Sequence, residues 1–442
     1  MDSNADMIAD LFGESLDGKR KFWIGSKDKN FTTQLIKGED PVLPPLRKPQ
    51  SSAFVDVNSD FCSDLSVMSV KDGRTQIEQW FCEDGGFVLN RTLIVPESAL
   101  VIGQATFVNI DGDNFIDVVL PVCEDQHCAK SKIYVFSKDM WHKLPVTFGK
   151  GNWRFVEPSQ SINKMIAPPI TLRAGDYNLD GYPDLLAILS NQNHTQQAFL
   201  LKNIPFNSDN YTRSFEIIWP ATFTHLTDSA LLTAFFDVDE NGILDVLLTS
   251  HSKDDRTRIH VFKNKFLEDA YFLKVMVVSG LCETNCNVEP YGVNQPGPVI
   301  RFKTTQSTGE IQLGYASQLT QSAHYSLQLP FTVFGLGQTP NYIDTLEVGI
   351  PYSTKENSKI REWTSIIPNS QLIIIPYLSL DPYSWKNRLF VTPSRLVLLT
   401  GASLLGTCAV IAAVVGILHW RERAEDKREK LQEAHKFHFD AM

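Results

Sequence analysis

Asp176-Tyr177-Asn178-Leu179-Asp180-Gly181-Tyr182-Pro183-Asp184, followed by the apolar run Leu185-Leu186-Ala187-Ile188-Leu189, decides how the whole chain is read. Oxygen-bearing side chains stand at positions 1, 3, 5 and 9 of the nine, with glycine at position 6. Glycine enters left-handed backbone conformations without a Cβ clash, so a short loop can turn back on itself there. Such a loop aims four side chains and a carbonyl near position 7 at one point. A hard cation such as calcium takes about six to eight oxygens at roughly 2.3–2.6 Å, and the apolar run reads as the strand that leaves the loop.

Working outward, the pattern occurs five times. Loop 1 is Asp2, Asn4, Asp6, Asp10; loop 2 is Asp56, Asn58, Asp60, Asp64; loop 3 is Asn109, Asp111, Asp113, Asp117. The opening stretch is loop 4 (Asp176, Asn178, Asp180, Asp184), and loop 5 is Asp237, Asp239, Asn241, Asp245. Successive starts are 54, 53, 67 and 61 residues apart, and each copy leads into an apolar run. One copy alone would be equally well read as an Asx-rich turn. Five copies in phase with strands favour a repeat architecture. An EF-hand needs a bidentate Glu at its twelfth position, where these loops have Gly13, Val67, Leu120, Ala187 and Leu248. Position 6 is Gly181 and Gly242 in loops 4 and 5 and Asn114 in loop 3, but Met7 and Phe61 in the first two. The need for positive φ there ranks loops 3 to 5 above loops 1 and 2 as calcium sites.

The chain has 442 residues, 43% hydrophobic, with a net charge of −10 and 27 Phe, 12 Tyr and 8 Trp. Its length suits two or three domains. Nucleic acid is excluded as a partner, because that needs basic surface to displace counterions, and the aromatic load fits strands.

Near the C-terminus, Leu396–Leu418 carries no charged residue and is long enough to cross a hydrocarbon core of about 30 Å as a helix. Trp420 at one border and Trp385 outside the other read as interfacial aromatics. Arg421, Arg423, Lys427, Arg428, Lys430 and Lys436 follow the span, against Lys386, Arg388 and Arg395 before it. That asymmetry predicts a cytoplasmic tail over 419–442 and an extracellular N-terminal part, the type I topology of a cell-membrane protein. Phe437 and Phe439 near the chain end could engage a cytosolic partner, and His435 with His438 are too few to hold a metal.

Six cysteines precede the span. Local spacing favours Cys123–Cys128 and Cys282–Cys286, leaving Cys62–Cys82, with Cys408 inside the span. Asn30, Asn90, Asn193 and Asn210 each open a glycosylation sequon. Both features fit the secretory pathway, yet the first thirty residues hold no apolar signal-peptide core. From about residue 279 the loop pattern stops. The alternating runs EIQLGYA, HYSLQL, DTLEVGI and QLIIIPY predict an antiparallel sandwich over 279–388.

Strand–loop–strand units of this spacing resemble the FG-GAP repeats of the integrin α-chain β-propeller, with KIYVF (132–136), QAFLLK (197–202) and RIHVFK (258–263) as outer blade strands. The segments GDYNLDGYPDLLAIL, AYFLKVMVVSGLC, VNQPGP, IIPNSQLIIIPY and EAHKFHFDAM are similar to the linkin family, also called T-cell immunomodulatory proteins, along nearly the whole chain. FGLG at 334–337 resembles the ASPIC/UnbV module. The resemblance implies an all-β fold. It would comprise a partial FG-GAP β-propeller over 1–278 (about five of seven blades), a β-sandwich-like (ASPIC/UnbV-like) stalk over 279–388 and one transmembrane helix over 396–418. It also implies upstream repeats and a signal peptide, so the sequence as given is expected to be N-terminally truncated. The implied function is that of a calcium-binding, single-pass surface glycoprotein. It would act in adhesion and recognition, extending to modulation of T cells, with a protein ligand on a neighbouring cell or matrix. No nucleophile elbow, HExxH, Walker loop or dinucleotide motif is present, so no enzyme is expected. The competing reading is an intracellular, tail-anchored β-propeller scaffold, in which glycans and disulfides would be absent.

Overall fold

The computed structural model describes residues 1–439 except for 28–29, 37–42, 49–51, 84–85, 149–151, 159–168, 209–210, 220–222, 224–227, 253, 255, 266–269, 282–289, 321–327, 339–341, 353–358 and 393–394. The chain divides into two compact units, Met1–Thr392 and Pro393–Met442.

In the first unit each loop lies at the entrance to a sheet. Loop 1 precedes β1 (Leu11–Glu14), β2 (Arg20–Ile24) and β3 (Thr32–Leu35). Loop 2 joins β4 (Ala53–Val55) to β5 (Asp64–Lys71), beside β6 (Arg74–Glu83) and β7 (Gly86–Ile94). In the third sheet, β8 (Val101–Ile102) and β9 (Thr106–Val108) both pair with β10 (Asp117–Cys123), then come β11 (Ser131–Ser137) and β12 (Met140–Lys143). The fourth repeats this with β13 (Arg154–Phe155), β14 (Leu172–Gly175), β15 (Asp184–Ser190), β16 (Gln196–Pro205) and β17 (Arg213–Ile217). The fifth has β18 (Ser229–Phe236), β19 (Asp245–His251) and β20 (Thr257–Phe262). The expected outer strands are thus β11, β16 and β20. In the third and fourth sheets a further strand, β12 or β17, lies outside them.

β10 and β15 read as continuous apolar runs because both of their faces are covered, whereas β1 has no buried residue. Every residue of β10 is buried. Each sheet packs on the next in chain order, as propeller blades do. Phe22 of the first meets Leu65 and Trp80 of the second, and Met68 and Ile77 of the second meet Val118 and Leu120 of the third. Ile133 meets Leu185 and Phe199, then Leu186 and Leu200 meet Phe235 and Val246.

Eight more strands follow: β21 (Tyr271–Val277), β22 (Val299–Thr305), β23 (Ile311–Ser317), β24 (Thr332–Gly337), β25 (Ile343–Gly349), β26 (Ile360–Ile366), β27 (Ser370–Ile375) and β28 (Lys386–Val391). They form two four-stranded sheets, β24-β21-β27-β28 and β23-β22-β25-β26. Leu273, Val275, Leu372 and Ile374 of one sheet share a core with Ile300, Phe302, Leu346 and Val348 of the other. β21 lies on the repeat side of the boundary expected at 278, yet it pairs antiparallel with β24 and parallel with β27, so the sandwich is not the wholly antiparallel one expected. The sandwich therefore begins near residue 271, and β28 carries it to Val391. Trp385, expected at the membrane border, is instead buried in this core, 2% exposed.

The second unit is one helix, α1 (Arg395–Phe439), long and apolar enough to cross a membrane and continuous into the charged tail.

Candidate functional site

The five loops share one backbone shape. Positions 4 and 6 have positive φ in every copy: Ala5 and Met7, Ser59 and Phe61, Gly112 and Asn114, Leu179 and Gly181, Glu240 and Gly242. Met7 (φ 67°) and Phe61 (φ 66°) thus adopt the positive-φ conformation that favours glycine or asparagine. The premise that ranked loops 1 and 2 lower does not hold for their backbone. What compensates the conformational cost, roughly 1–2 kcal/mol per non-glycine residue, is burial. Met7 joins the sandwich core, and Phe61 packs beside Tyr315 with Arg301 over its ring at 4.6 Å.

Each side chain in the motif has a definite task. The position 5 oxygen accepts from the N–H of position 7, at 2.8 Å for Asp6, 2.8 Å for Asp60 and 3.0 Å for Asp180. The buried position 9 carboxylate uses Oδ2 for the N–H of position 2, as in Asp64 to Val57 at 3.0 Å and Asp245 to Val238 at 3.2 Å. Its Oδ1 reaches across to the third strand region, where Gly25, Cys82, Asn203 and Asn264 donate to Asp10, Asp64, Asp184 and Asp245 at 2.7–2.8 Å. Asn203 and Asn264 also send Nδ2 to the preceding loop, to the carbonyls of Ile110 at 3.0 Å and Tyr177 at 2.8 Å. These sheet-to-sheet ties escaped the motif reading. A repeated Lys-Asn pair, Lys202-Asn203 and Lys263-Asn264, 19 residues after position 9 of its own loop, was the available signal.

Position 1 is two-sided. In loops 1, 2, 4 and 5 its Oδ1 accepts from position 5, at 3.1, 3.3, 3.2 and 2.9 Å, and borders the loop centre. Its Oδ2 accepts from position 6 at 2.7–2.9 Å. The same Oδ2 also receives a donor from the sandwich side. Gln295 Nε2 donates to Asp2 at 3.4 Å, the Tyr315 hydroxyl to Asp56, Gly335 N to Asp176 at 3.0 Å, and Lys274 Nζ to Asp237 at 2.7 Å. Loop 3 differs, having Asn109 at position 1 with its Oδ1 on Gly112 N at 2.8 Å. The sandwich therefore covers the loop face of the repeat sheets.

Electrostatics follow from that cover. Burial first, and neighbouring carboxylates in addition, push Asp2, Asp117 and Asp176 up to about 7 and Asp56 up to about 6. Asp64 and Asp184 are raised well above the ordinary range for the same reasons. Carboxylates in this state gain strongly from a cation. Positions 3 and 5 already touch, with Asn58 Nδ2 on Asp60 at 3.1 Å and Asn178 Nδ2 on Asp180 at 2.8 Å. Among the described residues no three His, Cys, Asp or Glu side chains close to metal-binding spacing, so a cation would have to draw the loop inward. The donor set of three carboxylates, one amide and a carbonyl fits calcium rather than zinc. Loop 5 fits less well, because Lys274 holds Asp237 and Lys263 holds Asp239 at 2.7 Å.

Cys62–Cys82 and Cys123–Cys128 are bonded, as the spacing suggested. Cys282 and Cys286 lie outside the described residues, as do Asn210 and the side chains of His435, Phe437, His438 and Phe439. Asn30, Asn90 and Asn193 are exposed.

Five Asx-loop sheets, a sandwich seated on their loops and an apolar C-terminal helix define a β-repeat membrane protein. Comparison with known sequences then gives the family. The chain is 43% identical over 458 residues to the human T-cell immunomodulatory protein, covering 100% of this chain and 74% of that protein. It is 43% identical over 457 residues to the mouse protein, again across 100% of the chain and 74% of the relative. With Caenorhabditis elegans linkin it shares 29% identity over 409 residues, 88% of this chain and 66% of that one. The chain belongs to the T-cell immunomodulatory protein family. Residues 290–390 match the family described as ITFG1, C2 domain, which replaces the expected ASPIC/UnbV likeness. These relatives carry immunomodulatory or linkin names, not enzyme names.

Proposed function

We propose that the chain is a single-pass cell-surface glycoprotein, N-terminal part outside, acting in adhesion or recognition. Calcium in its Asx loops would brace the joint between an FG-GAP propeller and the C2 sandwich. The observation that carries the calcium reading is the two-sided position 1 carboxylate, with one oxygen bordering the loop centre and the other held by the sandwich. A cation at the centre would relieve the repulsion among buried carboxylates and stiffen the surface on which the sandwich sits. Loop 4 is the strongest site, and loops 1, 2 and 3 follow. Because the sandwich covers the loop face, a protein ligand on a neighbouring cell or matrix would meet the opposite surface.

The outward placement is supported by two disulfides, which persist in oxidising compartments, by three exposed sequons and by the Lys/Arg-rich tail. The relatives' name supports modulation of T cells as the setting. An N-glycosidase gel shift on protein from its own cells, abolished when Asn30, Asn90, Asn193 and Asn210 are all changed to Gln, is the expected result. No shift would favour the tail-anchored scaffold inside the cell. For calcium, chelation of the full chain in micelles should lower the unfolding temperature and readdition restore it. Asp180→Ala should remove the loop 4 contribution, and an unfolding temperature indifferent to calcium would end that reading.

A further inference from the structure

Loop 5 departs from its fellows in the charge of its partners. In loops 1, 2 and 4 the sandwich meets the position 1 carboxylate with a neutral group, from Gln295, Tyr315 or Gly335. In loop 5 it sends an ammonium. Lys274 Nζ stands 2.7 Å from Asp237 Oδ2, and the two side chains are 7% and 0% exposed. A second lysine, Lys263, holds both oxygens of Asp239 at position 3, at 2.7 and 2.9 Å. Among the described residues, Asp237 and Asp239 are the motif carboxylates that form ion pairs. Cations beside loops 1, 2 and 4 are placed otherwise. Lys359 donates to the carbonyl of Ala5, while Arg301 and Arg213 lie over the rings of Phe61 and Tyr182.

The sequence carries the same exchange. Lys202 holds the place of Lys263 in the fourth sheet, 18 residues after position 9. Loop 4 has neutral Asn178 at position 3 and its acid, Asp180, at position 5, whereas loop 5 has Asp239 at 3 and Asn241 at 5. The swap puts an acid at the position to which the Lys263 side chain extends.

Two ammonium groups thus offset two of the three carboxylates of loop 5. A divalent ion at the loop centre would take Asp237 through Oδ1 while Lys274 stays on Oδ2. Two cations would then share one buried carboxylate, with little water to screen them from each other. Displacing Lys274 instead would strand its ammonium in the interior without a partner, which is strongly unfavourable. We infer that loop 5 takes no calcium, that Lys274 stands in for the ion, and that this loop is the calcium-independent anchorage of the sandwich on the repeat sheets. The other contacts at this joint need no ion either, since Phe272 packs on Gly242 and Gln371 Nε2 donates to the Glu240 carbonyl. The contrast rests on the calcium binding proposed above for loops 1, 2 and 4.

Hydrogen–deuterium exchange of the full chain in micelles, with calcium or with a chelator, tests it peptide by peptide. Calcium should slow exchange several-fold at loop 4 and leave loop 5 unchanged. Slowing at both loops alike would overturn the inference and leave the calcium reading intact. Slowing at neither would end the calcium reading itself, and the contrast with it. Lys263→Ala combined with Lys274→Met should convert loop 5 into a site, raising the calcium bound per chain in equilibrium dialysis and bringing loop 5 under calcium protection. A folded double variant that binds no more calcium than the unaltered chain would overturn the role given to the two lysines. A double variant that does not fold leaves the decision with the unaltered chain, whose exchange needs no substitution.

Discussion

Loops 2 and 5 carry the same backbone fold but meet the sandwich in opposite ways. Loop 2 pushes a ring into it: Phe61, 5% exposed, lies against Gly349, whose absent side chain leaves the space. Loop 5 receives a ring from it, since a Cβ on Gly242 would stand 2.2 Å from the Phe272 ring. Their position 1 carboxylates differ too, Asp56 taking a neutral donor from Tyr315 and Asp237 a charged one from Lys274. So does the residue that ties position 9 to the third strand region. Cys82 is bonded back to its own loop through Cys62, whereas Asn264 reaches to the loop before. One loop shape therefore tolerates glycine or a bulky residue at position 6, provided the facing domain supplies the complement. Position 6 reports the interface more directly than it reports metal binding.

The difference in charge gives an effect that depends on pH. With calcium chelated, Asp56 is held at about 6 by burial, so between its ordinary value of 3.8 and 6 the folded chain binds a proton that the unfolded chain has lost. Stability must then fall as pH rises through that window, by about 1.4 kcal/mol per unit for one such group and up to about 3 kcal/mol over the interval. Calorimetry of the full chain in micelles from pH 4 to 7 should show the fall, with Asp56→Asn removing its share of a slope to which Asp2, Asp117 and Asp176 also contribute. A rise in stability over the same window would mean that loop 2 is already neutralised as loop 5 is by its lysines.

The position 6 exchange can be broken from either side. Phe61→Ala removes a buried ring while leaving the positive φ in place, and should cost about 3–5 kcal/mol in chemical denaturation. Gly242→Ala adds a methyl group against Phe272 at a φ of 81° and should cost about 2–3 kcal/mol from overpacking and backbone strain. A loss under about 1 kcal/mol in both would mean that the sandwich does not seat on the loops as described.

Much of this was legible in the acids and little of it in their partners. Asp at position 9 announces the strand that follows, so five loops located five sheets. Three of the four alternating runs fall on sandwich strands β23, β25 and β27, while residues 324–327 of HYSLQL lie outside the described residues. The donors to position 1 share no motif. Lys274, Tyr315 and Gly335 come from β21, β23 and β24, and Gln295 from the loop before β22, each brought in by tertiary packing alone. Met7 and Phe61 misled because local preference argues against positive φ, and the compensating contacts lie hundreds of residues away, at Tyr315 and in the sandwich core. Trp385 misled for a related reason, since proximity to a span says nothing about which way a strand faces.

The third difference, in what ties position 9, predicts the smallest effect and separates sheet-to-sheet coupling from loop integrity. Asn264→Ala keeps the backbone N–H on Asp245 but removes the Nδ2 bonds to Tyr177 O at 2.8 Å and Leu244 O at 3.2 Å. The expected cost is about 1 kcal/mol, because two neutral carbonyls lose one shared amide. The loss should appear as faster hydrogen exchange at β14 and β15 of the preceding sheet as well as at β19. Exchange confined to β19 would mean that each sheet with its loop is stable alone and that the apolar packing between sheets is enough to hold them. Exchange reaching β14 would place the asparagine among the residues that make neighbouring sheets unfold together. Loop 2, whose equivalent residue is spent on its own disulfide, would then be the point in the repeat where that cooperativity is weakest.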